Sequence, residues 1–206
     1  MAKKFYAVKK GIKCGIYTTW KECKENVNGV SGAIYKGFST EEEAKSFMGM
    51  ENSNIDKDKT TSNISYKSEA VAYVDGSYEN TKKEYSYGVV MFYNGCEEHF
   101  SEKFSNLDMV SMRNVAGEIE GAKRAMQFCV DKGIKSLDII YDYEGIEKWC
   151  TGVWQAKKIG TKAYKSYYDE AIKLVHIKFI KVKGHSGDKY NDLADSLAKG
   201  ALGIGN

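Results

Sequence analysis

Between residues 70 and 74 the chain reads AVAYV, apolar at every position, and the run ends in an acid, Asp75, followed by Gly76. Successive residues of a strand face opposite sides of a sheet, so a run apolar in both phases needs cover on both faces. Such a strand belongs in the interior of a layered domain. A carboxylate at its end, where the chain is expected to turn sharply at Gly76, is held more rigidly than a solvated side chain, which suits a metal site. An isolated Asp-Gly serves equally well as a hairpin turn, so other acids must decide between the two.

A second buried run, SLDIIY at 136–141, also ends in an acid, Asp142. Around these runs the remaining pattern is regular. YSYGVVMFY (85–93) and EEHFSEKF (97–104) flank Asn94-Gly95, a pair that favours a two-residue hairpin turn. Residues 110–132 read as one long helix ending at Gly133, 144–150 as a short helix, 161–175 as a longer one, 176–182 as a strand and 189–201 as a closing helix. Strands first joined in hairpins and later separated by helices indicate a mixed sheet with helices packed on its faces, an α/β domain.

The front of the chain is a different unit. The polar run MENSNIDKDKTTSNISYKS is poor in apolar periodicity and reads as a flexible linker over residues 50–68, which separates a module at 1–49 from a domain at 69–206. Before the linker, 4–9 and 15–18 read as strands and Thr18 or Thr19 as the cap of a helix to 26. Residues 33–38 form a third strand, and Thr40 with Glu43 a capping box opening a helix to 48. This is a small α+β module. Residues 1–50 carry nine Lys against five Glu, a net +4 against +3 for the whole chain, so the positive charge is concentrated at the front. Tyr6, Trp20, Tyr35 and Phe38 are interleaved with lysines, including Lys36, a pattern able to stack on bases while ammonium groups hold phosphates.

Other classes are disfavoured. No apolar run is long enough to cross a bilayer and no secretory h-region follows Met1, so the expected location is cytoplasmic. The five cysteines lack zinc-site spacing and are expected to be reduced thiols. Two helical acids, Glu118 in AGEIEGA and Asp195 in NDLADSLAKGA, could join Asp75 and Asp142, although by periodicity alone Glu120 and Asp192 serve as well.

The order and spacing of YVDGSY, RNVAGEI, IIYDYEGIEKW and KGHSGDKYNDLADSLAKGA resemble the four acidic motifs of type 1 ribonuclease H, over residues 70–202. KFYAVKKGIKCGIYTTWKEC and AIYKGFSTEEEAKSF resemble the hybrid-binding domain at the N terminus of many members. The resemblance implies a ribonuclease H-like mixed five-stranded sheet flanked by helices. It implies cleavage of the RNA strand of RNA/DNA hybrids, leaving 5′-phosphate and 3′-hydroxyl ends. It assigns the four acids to Asp75, Glu118, Asp142 and Asp195, the last lying ten residues after the loop residue His185. His185 is implied to assist proton transfer or product release, and Asn114 to contact the 2′-hydroxyl that distinguishes RNA from DNA. Tyr6, Trp20, Tyr35 and Lys36 are implied to meet the hybrid, Gly37 standing where the family often has a second lysine. Glu144 stands where some members carry a Gln that contacts the substrate.

Four converging carboxylates repel one another unless cations join them. Oxygen-only ligands and a phosphate substrate favour Mg²⁺, two ions per site with Mn²⁺ able to substitute, one activating water and the other stabilising the leaving 3′-oxygen. Asp75 is expected to bridge both ions, with Glu118 and Asp142 completing one shell and Asp195 the other. No membrane and no obligatory protein partner is expected. The rival readings are an integrase-like strand transferase and a non-catalytic hybrid-binding protein with a decayed site.

Overall fold

The computed structural model describes residues 4–30, 32–48, 68–184 and 187–204. They group into two units, one of residues 4–48 with 92–98, the other of 68–91 with 99–204.

In the first unit β1 (Phe5–Lys10) runs antiparallel to both β2 (Gly15–Tyr17) and β3 (Ile34–Phe38). Alternation along β1 divides its side chains between two helices. Val8 packs with Cys23 and Val27 of α1 (Trp20–Val27), and Ala7 with Ala44 and Met48 of α2 (Glu41–Met48). Both helices start as their sequences require: Thr19 and Glu22 form a reciprocal capping box, and Thr40 and Glu43 form a second.

Apart from residues 92–98, the second unit holds five strands of mixed sense in the order β6-β5-β4-β7-β8: β4 (Ala70–Glu79), β5 (Glu84–Tyr93), β6 (Cys96–Phe104), β7 (Ser136–Tyr141) and β8 (His176–Lys181). Strand β7 is parallel to β4 on one side and to β8 on the other. Asn94 and Gly95 both have positive φ, 49° and 70°, as a hairpin turn that matches strand twist demands. Helices α3 (Leu107–Val110), α4 (Asn114–Lys132), α5 (Gly145–Cys150), α6 (Ile159–Ala171) and α7 (Lys189–Leu202) complete the unit.

Strand β5 shows how the faces are assigned. A Cβ at Gly88 would collide with the backbone of Ala194, and Ser86 Oγ donates to the Ala198 carbonyl at 2.6 Å, so the even positions face α7. The odd positions Tyr87 and Val89 meet Gly121 of α4. Helices α4 and α7 therefore cover opposite faces.

Two expectations fail. The chain does not turn at Gly76, because β4 continues through it to Glu79 and Asp75 lies within the strand. Gly76 is small for a different reason: a Cβ there would collide with the Asn114 carbonyl and crowd Glu118, so its absence lets α4 lie directly on β4. The helix expected over 110–132 is broken into α3 and α4 by residues 111–113. Arg113, a non-glycine residue with φ 54° and ψ −131°, marks the break and makes Asn114 the first residue of α4.

The expected linker lies outside the described residues except for Ser68, as does His185. All five cysteines are free thiols, four of them buried. Among the described residues no helix is long and apolar enough to cross a membrane.

Candidate active site

Three acids converge although they come from three different elements. Asp75 is delivered by β4, Glu118 by the second turn of α4, and Asp142 by the residue that follows β7. One carboxylate oxygen from each lies within 4.8 Å of the other two. Asp75 and Glu118 are 9% and 1% exposed, so this is not a chance grouping of solvated acids.

Glu118 is the most perturbed of the three. Its Oε1 accepts a long hydrogen bond, 3.4 Å, from Asn114 Nδ2, while its buried Oε2 has no partner. Burial above all, then the neighbouring charges of Asp142 and Asp75, pushes its pKa up to about 9. A buried oxygen without a donor, on a residue clustered with two further carboxylates, fits a hard divalent cation with oxygen ligands, which would satisfy the orphaned atom and offset the repulsion. Asp75, Glu118 and Asp142 are the residues placed to hold it.

Asp195 stands apart from this triad. Its Oδ2 accepts from Lys199 Nζ at 2.7 Å, one turn along α7, and this bond and charge raise the lysine's pKa. Lys199 also feels the charge of Asp75, which ties α7's acid to the same neighbourhood through a cation. Of the alternatives that periodicity left open, Glu120 is engaged with Lys123, as Asp195 is with Lys199, and Asp192 is exposed. A Cβ at Gly184 would collide with Asp142, so the chain leaving β8 passes against that acid immediately before His185.

Three residues near the site gave no clear signal in the sequence. Lys199 was legible only as a helical i,i+4 partner of Asp195. Lys148 and Lys181 both bond to Glu144, which lies two residues past Asp142, and together hold its pKa below the usual carboxylate value. Tyr143, Trp149 and Trp154 cluster beside them with ring centroids 5.9–6.3 Å apart.

In the first unit Trp20 and Tyr35 are each 45% exposed and lie in a row with Tyr6, at centroid separations of 5.6 Å and 5.8 Å. Lys36 is not on that row. Its ammonium lies over Phe38, whose ring packs on Phe47 of α2, on the other face of β3.

A mixed five-stranded sheet sandwiched by helices, with a carboxylate cluster where a parallel strand ends, defines an α/β domain with an acid cluster of the kind that could hold a divalent metal. Family models agree and go further. The RNase H model matches residues 67–202 and the ribonuclease H1 N-terminal domain model matches residues 4–48. The chain belongs to the ribonuclease H family.

Ribonuclease H of Saccharomyces cerevisiae is 46% identical over 79 residues, which span 38% of this chain and only 21% of the yeast protein. Ribonuclease H1 of Homo sapiens is 25% identical over 252 aligned positions that cover 95% of this chain and 88% of the human one. The fold matches that of LC11 ribonuclease H1 in its complex with an RNA/DNA hybrid, with a TM-score of 0.52 and 18% identity over 65% of this chain and 99% of that one.

Proposed function

We propose that the chain is an endonuclease that hydrolyses the RNA strand of RNA/DNA hybrids, leaving 5′-phosphate and 3′-hydroxyl ends. The observation that carries this reading is the convergence of Asp75, Glu118 and Asp142, one of which, Glu118, also has a buried oxygen with no protein partner. Two Mg²⁺ ions, when bound, would supply an activated water and charge stabilisation for the leaving 3′-oxygen. The chain's own groups set up that chemistry. Asp75 lies within a strand covered on both faces, so its carboxylate cannot swing away as the substrate binds. Glu118, whose proton burial favours, would hold a cation in its ionised form. Asp195, now bonded to Lys199, would be the residue on α7 placed to hold a second ion. Asn114 steadies Glu118 and presents the rest of its amide to the minor groove of the hybrid, and His185 assists proton transfer or product release.

Residues 1–49 act as the hybrid-binding module and 69–206 as the catalytic domain. Tyr6, Trp20 and Tyr35 offer a stacking surface for unpaired or groove-edge bases, with Lys36 reaching a phosphate from the opposite face of β3. The relative bound to an RNA/DNA hybrid supports this choice of substrate. The test is a gel assay on a hybrid with a labelled RNA strand and Mg²⁺. The expected result is internal cleavage that Asp75→Asn abolishes while hybrid affinity stays within about threefold. Wild-type protein that binds the hybrid without cutting it would show a decayed site instead.

A further inference from the structure

The geometry points to Lys181, Lys148 and Glu144 as a clamp for the phosphate next to the scissile one on the cleaved strand, with Glu144 as its positioning residue. This rests on the nuclease reading above. Strands β7 and β8 run parallel with Tyr141 opposite Lys181, and Val182 N–H donates to the Tyr141 carbonyl at 2.8 Å. Asp142 is the next residue after Tyr141, so Lys181 stands at the same end of the sheet as Asp142, one strand away, in the strand phase of Tyr141 rather than that of Asp142.

Glu144 bridges the two elements on this edge. Its Oε1 is 3.0 Å from Lys181 Nζ, and its Oε2 accepts from Lys148, one turn into α5. Lys148 is held from a second side, its ammonium 5.0 Å from the centre of the Trp154 ring. The Glu144–Lys148 bond is an ordinary i,i+4 helical pair, but the Lys181 bond joins residues 37 apart and is not a product of local spacing. Exposed ion pairs add little to stability, so stability does not account for the arrangement.

Charge and donors do. Two lysines around one carboxylate leave a net charge of +1, and each ammonium retains N–H donors beyond the one that Glu144 takes. A polyanion approaching three clustered carboxylates meets repulsion, and a fixed cationic point beside them favours its docking. A lysine alone, on a flexible stem, would lose entropy on reaching a phosphate, whereas the shared carboxylate holds both in advance.

The experiment measures KM, kcat and their salt dependence for the full chain on an RNA/DNA hybrid with Mg²⁺. Lys181→Ala should raise KM about fivefold and lower the salt slope by about one, and Lys181→Arg should restore the slope. Glu144→Gln makes the surface more positive. If the carboxylate were only an unfavourable charge, KM would fall; as a positioning residue its loss should raise KM about threefold, with a smaller change in kcat. Replacing the flanking phosphate by an uncharged methylphosphonate should weaken wild type about fivefold and Lys181→Ala no further. A Glu144→Gln enzyme that binds more tightly, or a Lys181→Ala enzyme with unchanged KM and slope, would overturn the clamp while leaving the nuclease reading intact. Wild-type protein that fails to cut the hybrid would remove both.

Discussion

Glu118 makes the sharpest prediction because its burial can be measured without any catalysis. In the absence of divalent ions the folded carboxyl holds its proton up to about pH 9, whereas in the unfolded chain it ionises near 4.5. Between those values the native state binds a proton that the unfolded state has released, so stability is full below pH 4.5 and falls as pH rises towards 9. At pH 7.5, three units above the ordinary value, the loss is about 4 kcal/mol. Glu118→Gln keeps the shape and stays neutral at every pH, and its amide can donate towards Asp75 and Asp142. In chelator, urea unfolding at pH 7.5 should show the variant more stable than wild type by up to this amount, with Tm higher by about 10 °C. The difference should shrink towards zero near pH 4.5. Adding Mg²⁺ should stabilise wild type, more strongly as pH rises because binding expels the proton, and should do much less for the variant. If the two proteins were equally stable in chelator at pH 7.5, or differed by the same amount at pH 5, Glu118 would not be the strained acid that its surroundings indicate.

The other predictions address parts of the chain that the Glu118 measurement does not reach. Asp195→Asn should lower kcat by a factor of about 100 or more, whereas the exposed Asp192→Asn should stay within about twofold, a comparison read from initial rates at saturating Mg²⁺. Trp20→Ala removes an exposed ring and should weaken hybrid binding by about 1–3 kcal/mol without changing Tm; unchanged affinity in a filter-binding titration would exclude the aromatic row as a stacking surface. Gly88→Ala would drive a methyl group into the backbone of α7 and should destabilise the domain by about 2–3 kcal/mol in urea, with Asp195 displaced and kcat reduced.

Much of this arrangement was legible in the residues, and the failures are instructive. Apolar runs in both phases located β4 and β7, and Asp142 indeed follows the end of its strand. Asp75 was assigned to a strand end because Asp-Gly is a turn signal, yet glycine also permits close approach of backbones, and only packing decides which use is made of it. The break before α4 was hidden for a similar reason. Periodicity continues smoothly from Val110 into the helix, and nothing in the type of Arg113 announces a positive φ. Lys36 was set beside Tyr35 by the resemblance and by the interleaving of lysines with aromatics; neighbours on a strand face opposite ways, and the structure places its ammonium over Phe38. The link between Glu144, the N-cap of α5, and Lys181, the last residue of β8, is a tertiary contact and has no local signature.

The same packing explains why acids can meet inside this sheet. Asp75 shares its strand phase with Tyr73, whose ring lies 5.5 Å from that of Tyr190 of α7 at a tilt of 47°, while Val74 and Gly76 face α4. Carboxylates can therefore reach Asp75 from helices on both faces, but only where each helix lies close enough for a short side chain to span the gap. Glycine sets that distance. Gly76 and Gly117 approach each other under Glu118, with a Cβ at Gly117 only 3.0 Å from the Gly76 Cα, and Gly88 admits the turn of α7 that carries Asp195. Enlarging any of the three should move an acid as well as weaken the core, so the loss of activity should exceed what the fraction of unfolded protein accounts for. A Gly117→Ala enzyme whose kcat falls only in proportion to its folded fraction would show that the acids tolerate looser helices than this reasoning allows.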